Sequence, residues 1–296
     1  MVQQEGLFPG FRVARLDAGG VAVHAVVGGA GPPLLLLHGY PQTHAIWHRV
    51  APRLAARYSL VMPDLRGYGD SAKPPTADDH APYSKRALAL DMVELMRGLG
   101  HARFFVCGHD RGGRVAHRLA LDHPQAVERL MVLDIAPTRT MYEHTTMEFA
   151  RLYYHWFFLI QPAPLPERLI AAEPLFYLRT KLGGWGSGGT GFFDKRALAE
   201  YERCFTAAAI HAMCEDYRAS ASIDLEHDRA DEDRRIECPV HVLWGERGVV
   251  HRLFLPLDNW RAKARGTVTG RAMPGGHYIP EESSELLGDE MLAFFG

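Results

Sequence analysis

The stretch Gly108-His109-Asp110-Arg111-Gly112 places a carboxylate between glycines that permit a sharp turn. It follows the apolar run RFFVCGH and opens the amphipathic run RGGRVAHRLALD. A strand, a glycine-bounded turn and a helix in that order are the context of a nucleophile elbow, G-x-S-x-G, with Asp110 in place of serine. An aspartate at a helix start is also a common N-cap, but the flanking glycines and preceding strand favour the nucleophile. An unperturbed aspartate side chain titrates at about pH 3.9 and is ionised at neutral pH without a base. Its attack on an ester or amide would give an anhydride. Attack on a saturated carbon bearing a leaving group gives an alkyl ester instead. The pattern therefore points to an alkyl halide or an epoxide, followed by hydrolysis of the ester.

That second step needs a general base. His277, in AMPGGHYIP after the last strand candidate, has the right place in the chain order nucleophile, acid, histidine. Two residues compete to orient it and stabilise its cation. Asp134 ends the run ERLMVLD, and Glu246 lies in WGERGVV after the next strand candidate. Asp134 is preferred because it sits directly at its strand end. The backbone amides of Arg111 and of Tyr40, in His38-Gly39-Tyr40-Pro41, are the candidates for holding the oxyanion.

Arg111 and Arg114 are three residues apart at a helix start, so they share one face beside the positive helix end. Guanidiniums grip carboxylates through two parallel hydrogen bonds. The pair therefore suits a short acid whose α-carbon carries the leaving group. The cations would offset the repulsion between that acid and Asp110.

These residues must be positioned by a larger frame. FRVARLDAGGVAVHAVVGG reads as two strands around a turn, and PPLLLLHG, YSLVMPD, RFFVCGH, ERLMVLD, CPVHVLWG and TVTGRAMPGG as six more. WHRVAPRLAARY, YSKRALALDMVELMRGLG, RGGRVAHRLALDHP and ESSELLGDEMLAFF carry helical periodicity. Alternating strands and helices predict an α/β fold, an eight-stranded, mostly parallel sheet with helices on both faces. The alternation stops between about Thr138 and Arg235, where the chain is aromatic and helix-rich. The expected organisation is a core of residues 1–137 and 236–296, with a helical cap of residues 138–235 inserted after the sixth strand. The run GGWGSGG has no strand before it and no Lys-Ser/Thr after it, so a flexible loop is expected, not a phosphate cradle.

Composition narrows the class. The 296 residues carry a net charge of −2, so there is no basic field to draw nucleic acid or an anionic membrane. MVQQEGLFPGF lacks the basic and apolar regions of a signal peptide. The four cysteines, Cys107, Cys204, Cys214 and Cys238, form no CxxC pair and are expected as buried apolar residues in a reducing, cytoplasmic compartment.

HGYPQTHAIWHRV, DLRGYGDS, GHDRGGRVAHR, VLDIAPT, YYHWFF and GGHY together resemble the fluoroacetate (haloacetate) dehalogenase family of α/β hydrolases, over nearly the whole chain. The first two stretches mark only the wider superfamily, and the arginine directly after the nucleophile is the specific signal. The resemblance implies Asp110 as nucleophile, His277 as base, Asp134 as its acid, and Arg111 and Arg114 as carboxylate ligands. It implies that His155, Trp156 and Tyr217 hold the departing halide, that no cofactor or metal is needed, and that the enzyme is a homodimer. Tyr40 departs from the phenylalanine expected there. An epoxide hydrolase would use the same Asp and His with Tyr153, Tyr154 and Tyr217 as acid candidates, but gives the arginines no purpose. A hydrolase fold that binds without turnover fits the complete Asp110–His277–Asp134 set less well.

Overall fold

The computed structural model describes residues 6–296. Residues 1–5, the start of the segment read above for a leader, lie outside the described residues. Eight strands form one sheet: β1 (Arg12–Ala18), β2 (Val21–Gly28), β3 (Pro33–Leu37), β4 (Ser59–Pro63), β5 (Phe104–His109), β6 (Val127–Leu133), β7 (Val240–Gly245) and β8 (Val268–Met273). Their order is β1-β2-β4-β3-β5-β6-β7-β8. β1 and β2 pair antiparallel and β2 pairs antiparallel with β4, while all later pairings are parallel. Each strand falls on a stretch read as one.

The central strands are continuous apolar runs because both sheet faces are covered. Leu35, Leu37, Val106, Val132 and Val242 pack into the core on one face. Leu34, Leu36, Cys107, Met131 and Leu243 pack on the other. Register then does the positioning. His109 pairs with Leu133, and Leu133 with Leu243, so Asp110 and Asp134 leave neighbouring strand ends side by side. The amide of Asp110 donates to the Leu133 carbonyl (3.2 Å) and that of Asp134 to the Leu243 carbonyl (2.8 Å). Gly245 pairs with Met273, which brings the loop bearing His277 to the same edge. The carboxyl ends of parallel strands are where open α/β sheets place their ligands.

The helices Lys85–Gly98, Arg111–Asp122 and Ser284–Phe295 occupy the expected segments. WHRVAPRLAARY does not form one helix. It breaks into a 3-10 turn, His44–Trp47, and a short helix, Ala51–Leu54. Pro52 explains the break: it has no N–H, its ring clashes with the carbonyl four residues back, and it is tolerated only in a first turn. Between β6 and β7 the chain forms eight helices and no strand. No helix among the described residues is long and apolar enough to cross a membrane. Cys107, Cys204 and Cys214 are buried free thiols, whereas Cys238 is half-buried, so the expectation of four buried cysteines fails at its last member.

The elbow leaves no room for side chains. A Cβ at Gly112 would lie 2.3 Å from the His38 carbonyl oxygen, whereas nothing lies within 4 Å of one at Gly98. Gly112→Ala is expected to destabilise the fold by about 1–3 kcal/mol, as overpacking does. Gly98→Ala should be neutral or stabilise by up to about 1 kcal/mol. Urea unfolding of the two variants checks this, and equal midpoints would refute the steric account.

Candidate active site

Asp110 sits at φ 48° and ψ −115°, a conformation costly for any residue with a Cβ. The turn is tight enough that a Cβ on Gly108 would lie 2.5 Å from the Gly112 carbonyl oxygen, and one on Gly39 2.4 Å from the Asp110 Cβ. The strained turn fixes the carboxylate. Its Oδ1 accepts the Tyr40 amide at 2.9 Å. Its Oδ2 lies 3.9 Å from His277 Nε2. On its other side His277 donates from Nδ1 to Asp134 Oδ2 at 2.6 Å. Asp134 Oδ1 accepts the Gly245 amide at 3.0 Å. Glu246 is exposed, and of the two candidate acids it is Asp134 that meets the His277 imidazole. Of the two amides expected to face an oxyanion, that of Tyr40 already meets the carboxylate. That of Arg111 opens the helix Arg111–Asp122, whose first N–H groups lack intrahelical partners.

Asp110, Asp134 and His277 are all buried. Burial pulls the His277 pKa down, but the hydrogen bond and charge of Asp134, with Asp110, outweigh it and leave the imidazole above its ordinary value. Burial pushes Asp110 up, but His277, His109 and the two arginines outweigh it, so the carboxylate stays ionised. His109, between the glycine and the nucleophile, donates from Nε2 to the His277 carbonyl oxygen at 2.8 Å. Burial first, then the neighbouring His277, lowers its pKa to about 3, so it is a neutral brace for the histidine loop.

Both arginines are buried, Arg111 at 0% and Arg114 at 2% exposure, and they are not equivalent. Arg111 donates from Nε to Asp216 Oδ2 at 2.7 Å and from Nη2 to the Asp216 carbonyl at 2.8 Å. Its charge is therefore compensated within the protein. Arg114 meets only neutral acceptors: the Ala136 carbonyl (3.2 Å), Thr138 Oγ1 (3.0 Å) and Met141 Sδ (3.1 Å). Among the described residues no carboxylate lies within salt-bridge distance of it. Each guanidinium keeps one buried nitrogen without a partner, Nη1 of Arg111 and Nε of Arg114.

The aromatic residues expected to hold a halide gather around these cations. Arg111 lies over the Tyr217 ring at 4.1 Å and Arg114 over Trp156 at 4.7 Å. The His155 and Tyr217 rings are 5.6 Å apart, and Trp156 and Tyr217 6.4 Å. His155 Nδ1, Trp156 Nε1 and the Tyr217 hydroxyl are all buried without a protein partner. Buried polar groups are rarely left so, and several together call for a ligand or water. The Tyr40 ring is buried and stacks 5.8 Å from His155, and its hydroxyl pairs with that of Tyr177 at 3.1 Å.

A family model described as "alpha/beta hydrolase fold" matches residues 32–188. The chain is 48% identical over 286 residues to a fluoroacetate dehalogenase from Burkholderia sp, covering 95% of this chain and 94% of that protein. The chain belongs to the α/β-hydrolase family, in its fluoroacetate dehalogenase-like branch. It is also 34% identical to a soluble epoxide hydrolase from Corynebacterium sp. (strain C12), covering 93% of this chain and 94% of that one. A crystal structure from Nostoc sp PCC 7120 described as an α/β hydrolase superposes with a TM-score of 0.94 and 53% identity, over 96% of this chain and 98% of that one.

Two features of this hydrolase's site escape the sequence reading. GGWGSGG is no idle loop: Trp185 packs 5.1 Å from the His277 ring and 4.7 Å from His155. Asp216, next to Tyr217 in CEDYRAS, anchors Arg111 and also binds Lys85 Nζ and the Tyr68 hydroxyl (2.8 Å). Asp224 stands 3.5 Å from the same ammonium, so two buried cations face two buried carboxylates. That balance matters because an unpaired charge in such a place costs several kcal/mol. His24, His44 and Asp64 have the residue types of a metal site. However, Asp64 Oδ1 already accepts His44 N (2.9 Å) and Nδ1 (2.8 Å), and Oδ2 accepts the Asp70 amide (3.0 Å), so N–H donors fill the carboxylate.

The raised His277 pKa gives a prediction with a definite sign. The imidazole should titrate above the ordinary value of about 6.5, and be neutral, hence able to act as a base, only above that point. Asp134→Asn removes the groups that raise it, so the midpoint should move down. NMR titration of the ¹⁵N-labelled protein, with His277 assigned through His277→Asn, reads this. An unmoved or higher midpoint in Asp134→Asn would contradict the assignment of the acid.

Proposed function

We propose that this hydrolase removes halide from a haloacetate, fluoroacetate or chloroacetate, giving glycolate. The observation that carries the reading is Arg114, a buried guanidinium with no carboxylate, one helical turn from an ionised aspartate. A small organic anion supplies the missing charge. The activity named for the Burkholderia relative supports the same reading.

In this reading residues 138–235 act as a cap, contributing His155, Trp156, Trp185 and Tyr217 over the strand ends. Arg114, with Nη1 of Arg111, binds the carboxylate. Asp110 Oδ2 attacks the α-carbon from behind, forming a carbon–oxygen bond as the carbon–halogen bond breaks and the halide leaves with its electron pair. His155, Trp156 and Tyr217 donate to that halide. Fluoride is small and strongly hydrated, and three convergent donors replace part of its water. Alkylation removes the Asp110 charge, one of those that raise His277, so the imidazole is a neutral base when it is needed. It takes a proton from water at Nε2 while the water oxygen attacks Cγ of the ester. The oxyanion forms on Oδ1, where the Tyr40 amide already donates. Collapse releases glycolate carrying the former Oδ2, protonated by His277, and Asp110 keeps the oxygen from water.

The competing reading is an epoxide hydrolase, with the unpartnered Tyr217 hydroxyl and Tyr153 protonating the epoxide. Tyr154 drops out of it, being 43% exposed. Halide release from fluoroacetate and chloroacetate, measured beside hydrolysis of a neutral epoxide, separates the two. Haloacetates should be the better substrates. Arg114→Met should lower their kcat/KM by on the order of 10²–10³-fold, the cost of removing one partner of a buried charge pair. Faster epoxide turnover that Arg114→Met leaves intact would overturn the proposal.

A further inference from the structure

Lys181 is a second cation with no carboxylate, on a side chain that is largely buried. It lies in the helix Pro174–Leu182 and is 4% exposed. Among the described residues no acceptor lies within hydrogen-bond or salt-bridge distance of its ammonium. Aromatic faces hold it instead: Nζ lies 3.7 Å from the Tyr154 ring centre, 5.6 Å from Tyr177 and 5.7 Å from Trp185. Rings attract a cation without spending its N–H donors on an anion. Burial lowers its pKa to about 8, so it carries its charge at neutral pH.

Its position is on the leaving-group side. Two rings are shared between Lys181 and His155: Trp185, whose ring lies 4.7 Å from that of His155, and Tyr154, whose ring lies 6.4 Å from it. After burial, the Lys181 charge is the largest influence lowering the His155 pKa, which keeps that imidazole neutral. Lys181 adds a positive charge to this side of the site. Arg111 and Lys85 are matched by Asp216 and Asp224. Beside the His277–Asp134 pair, the remaining cations are Arg114 and Lys181. The anions are Asp110 and the substrate carboxylate before displacement, and the halide and that carboxylate after it. Displacement moves one negative charge from Asp110 toward His155, from the arginine side to the lysine side.

We propose that Lys181 is an electrostatic positioning residue for the departing halide: held on the aromatic faces of Tyr154 and Trp185, which also contact His155, it supplies the positive charge that the neutral donors His155, Trp156 and Tyr217 lack. The inference rests on the dehalogenase reading and extends it to the residue that retains the leaving group. It assigns Lys181 no contact with the carboxylate and none with the reacting carbon.

The test is halide binding, which needs no turnover. Chloride and bromide are titrated against the intrinsic tryptophan fluorescence of the wild type, Lys181→Met and Lys181→Arg, and the same proteins are assayed for chloride inhibition and for kcat and KM on chloroacetate. Lys181→Met should weaken halide binding roughly tenfold, the effect of one charge several ångströms away at an effective dielectric of about 20. It should lower kcat more than it raises KM, and Lys181→Arg, which keeps a cation suited to aromatic faces, should restore both to within about threefold. Unchanged halide affinity in Lys181→Met would overturn the proposal. So would equal losses in the Met and Arg variants, which would assign the residue to packing. A wild type that binds halide through Lys181 yet releases none from haloacetates would instead remove the dehalogenase reading and leave the halide site standing.

Discussion

One constraint organises the site: an ionised aspartate and a guanidinium with no carboxylate of its own are buried within a single helical turn. Asp110 is held ionised by the cations around it, whereas Arg114 has no carboxylate within salt-bridge distance among the described residues. Burying charge is costly, and a protein retains such an arrangement where a ligand completes it. The strained elbow follows from this need. Only a tight turn with no side chains at Gly39, Gly108 and Gly112 brings the carboxylate onto the Tyr40 amide while its second oxygen stays near His277.

The same economy runs through the segment between β6 and β7. Its helix Ala207–Ala221 supplies Asp216, which absorbs the charge of Arg111 and Lys85, and Tyr217, whose ring lies under the Arg111 guanidinium. Arg111 is thereby turned from a free cation into a pinned one with a single spare donor. In the proposed reaction the anion-binding charge falls to Arg114. In a low-dielectric site that difference separates the two guanidiniums, although both stand on the same face of one helix. The rings of Trp156, Tyr217 and His155 then serve twice, their faces packing on cations and each other and their polar edges left without protein partners.

Much of this was legible in the sequence, for physical reasons. Strands buried on both faces must be apolar throughout, so PLLLL and VHVLWG announce themselves. A residue directly after such a strand, such as Asp110 or Asp134, has its place set by sheet register alone. His277 follows the last strand closely enough for the same logic to hold. What escaped depends on partners far away in the chain. Nothing in GGWGSGG tells that Trp185 packs on His277, and nothing in CEDYRAS separates Asp216 from an ordinary helix-surface acid until Lys85 and Arg111 are seen to meet it. Lys181 reads as a solvated helix lysine, because its aromatic surroundings assemble only in three dimensions. The broken helix around Pro52 was visible in principle, since a proline inside a periodic run marks a restart.

The central claim is that an oxygen of Asp110, and not one from water, bonds to the substrate carbon. A single turnover of chloroacetate in H₂¹⁸O, with enzyme in excess, measures it directly. The account predicts unlabelled glycolate from that first turnover and one ¹⁸O atom in the peptide containing Asp110. Glycolate labelled in the first turnover, with an unlabelled Asp110 peptide, would contradict it.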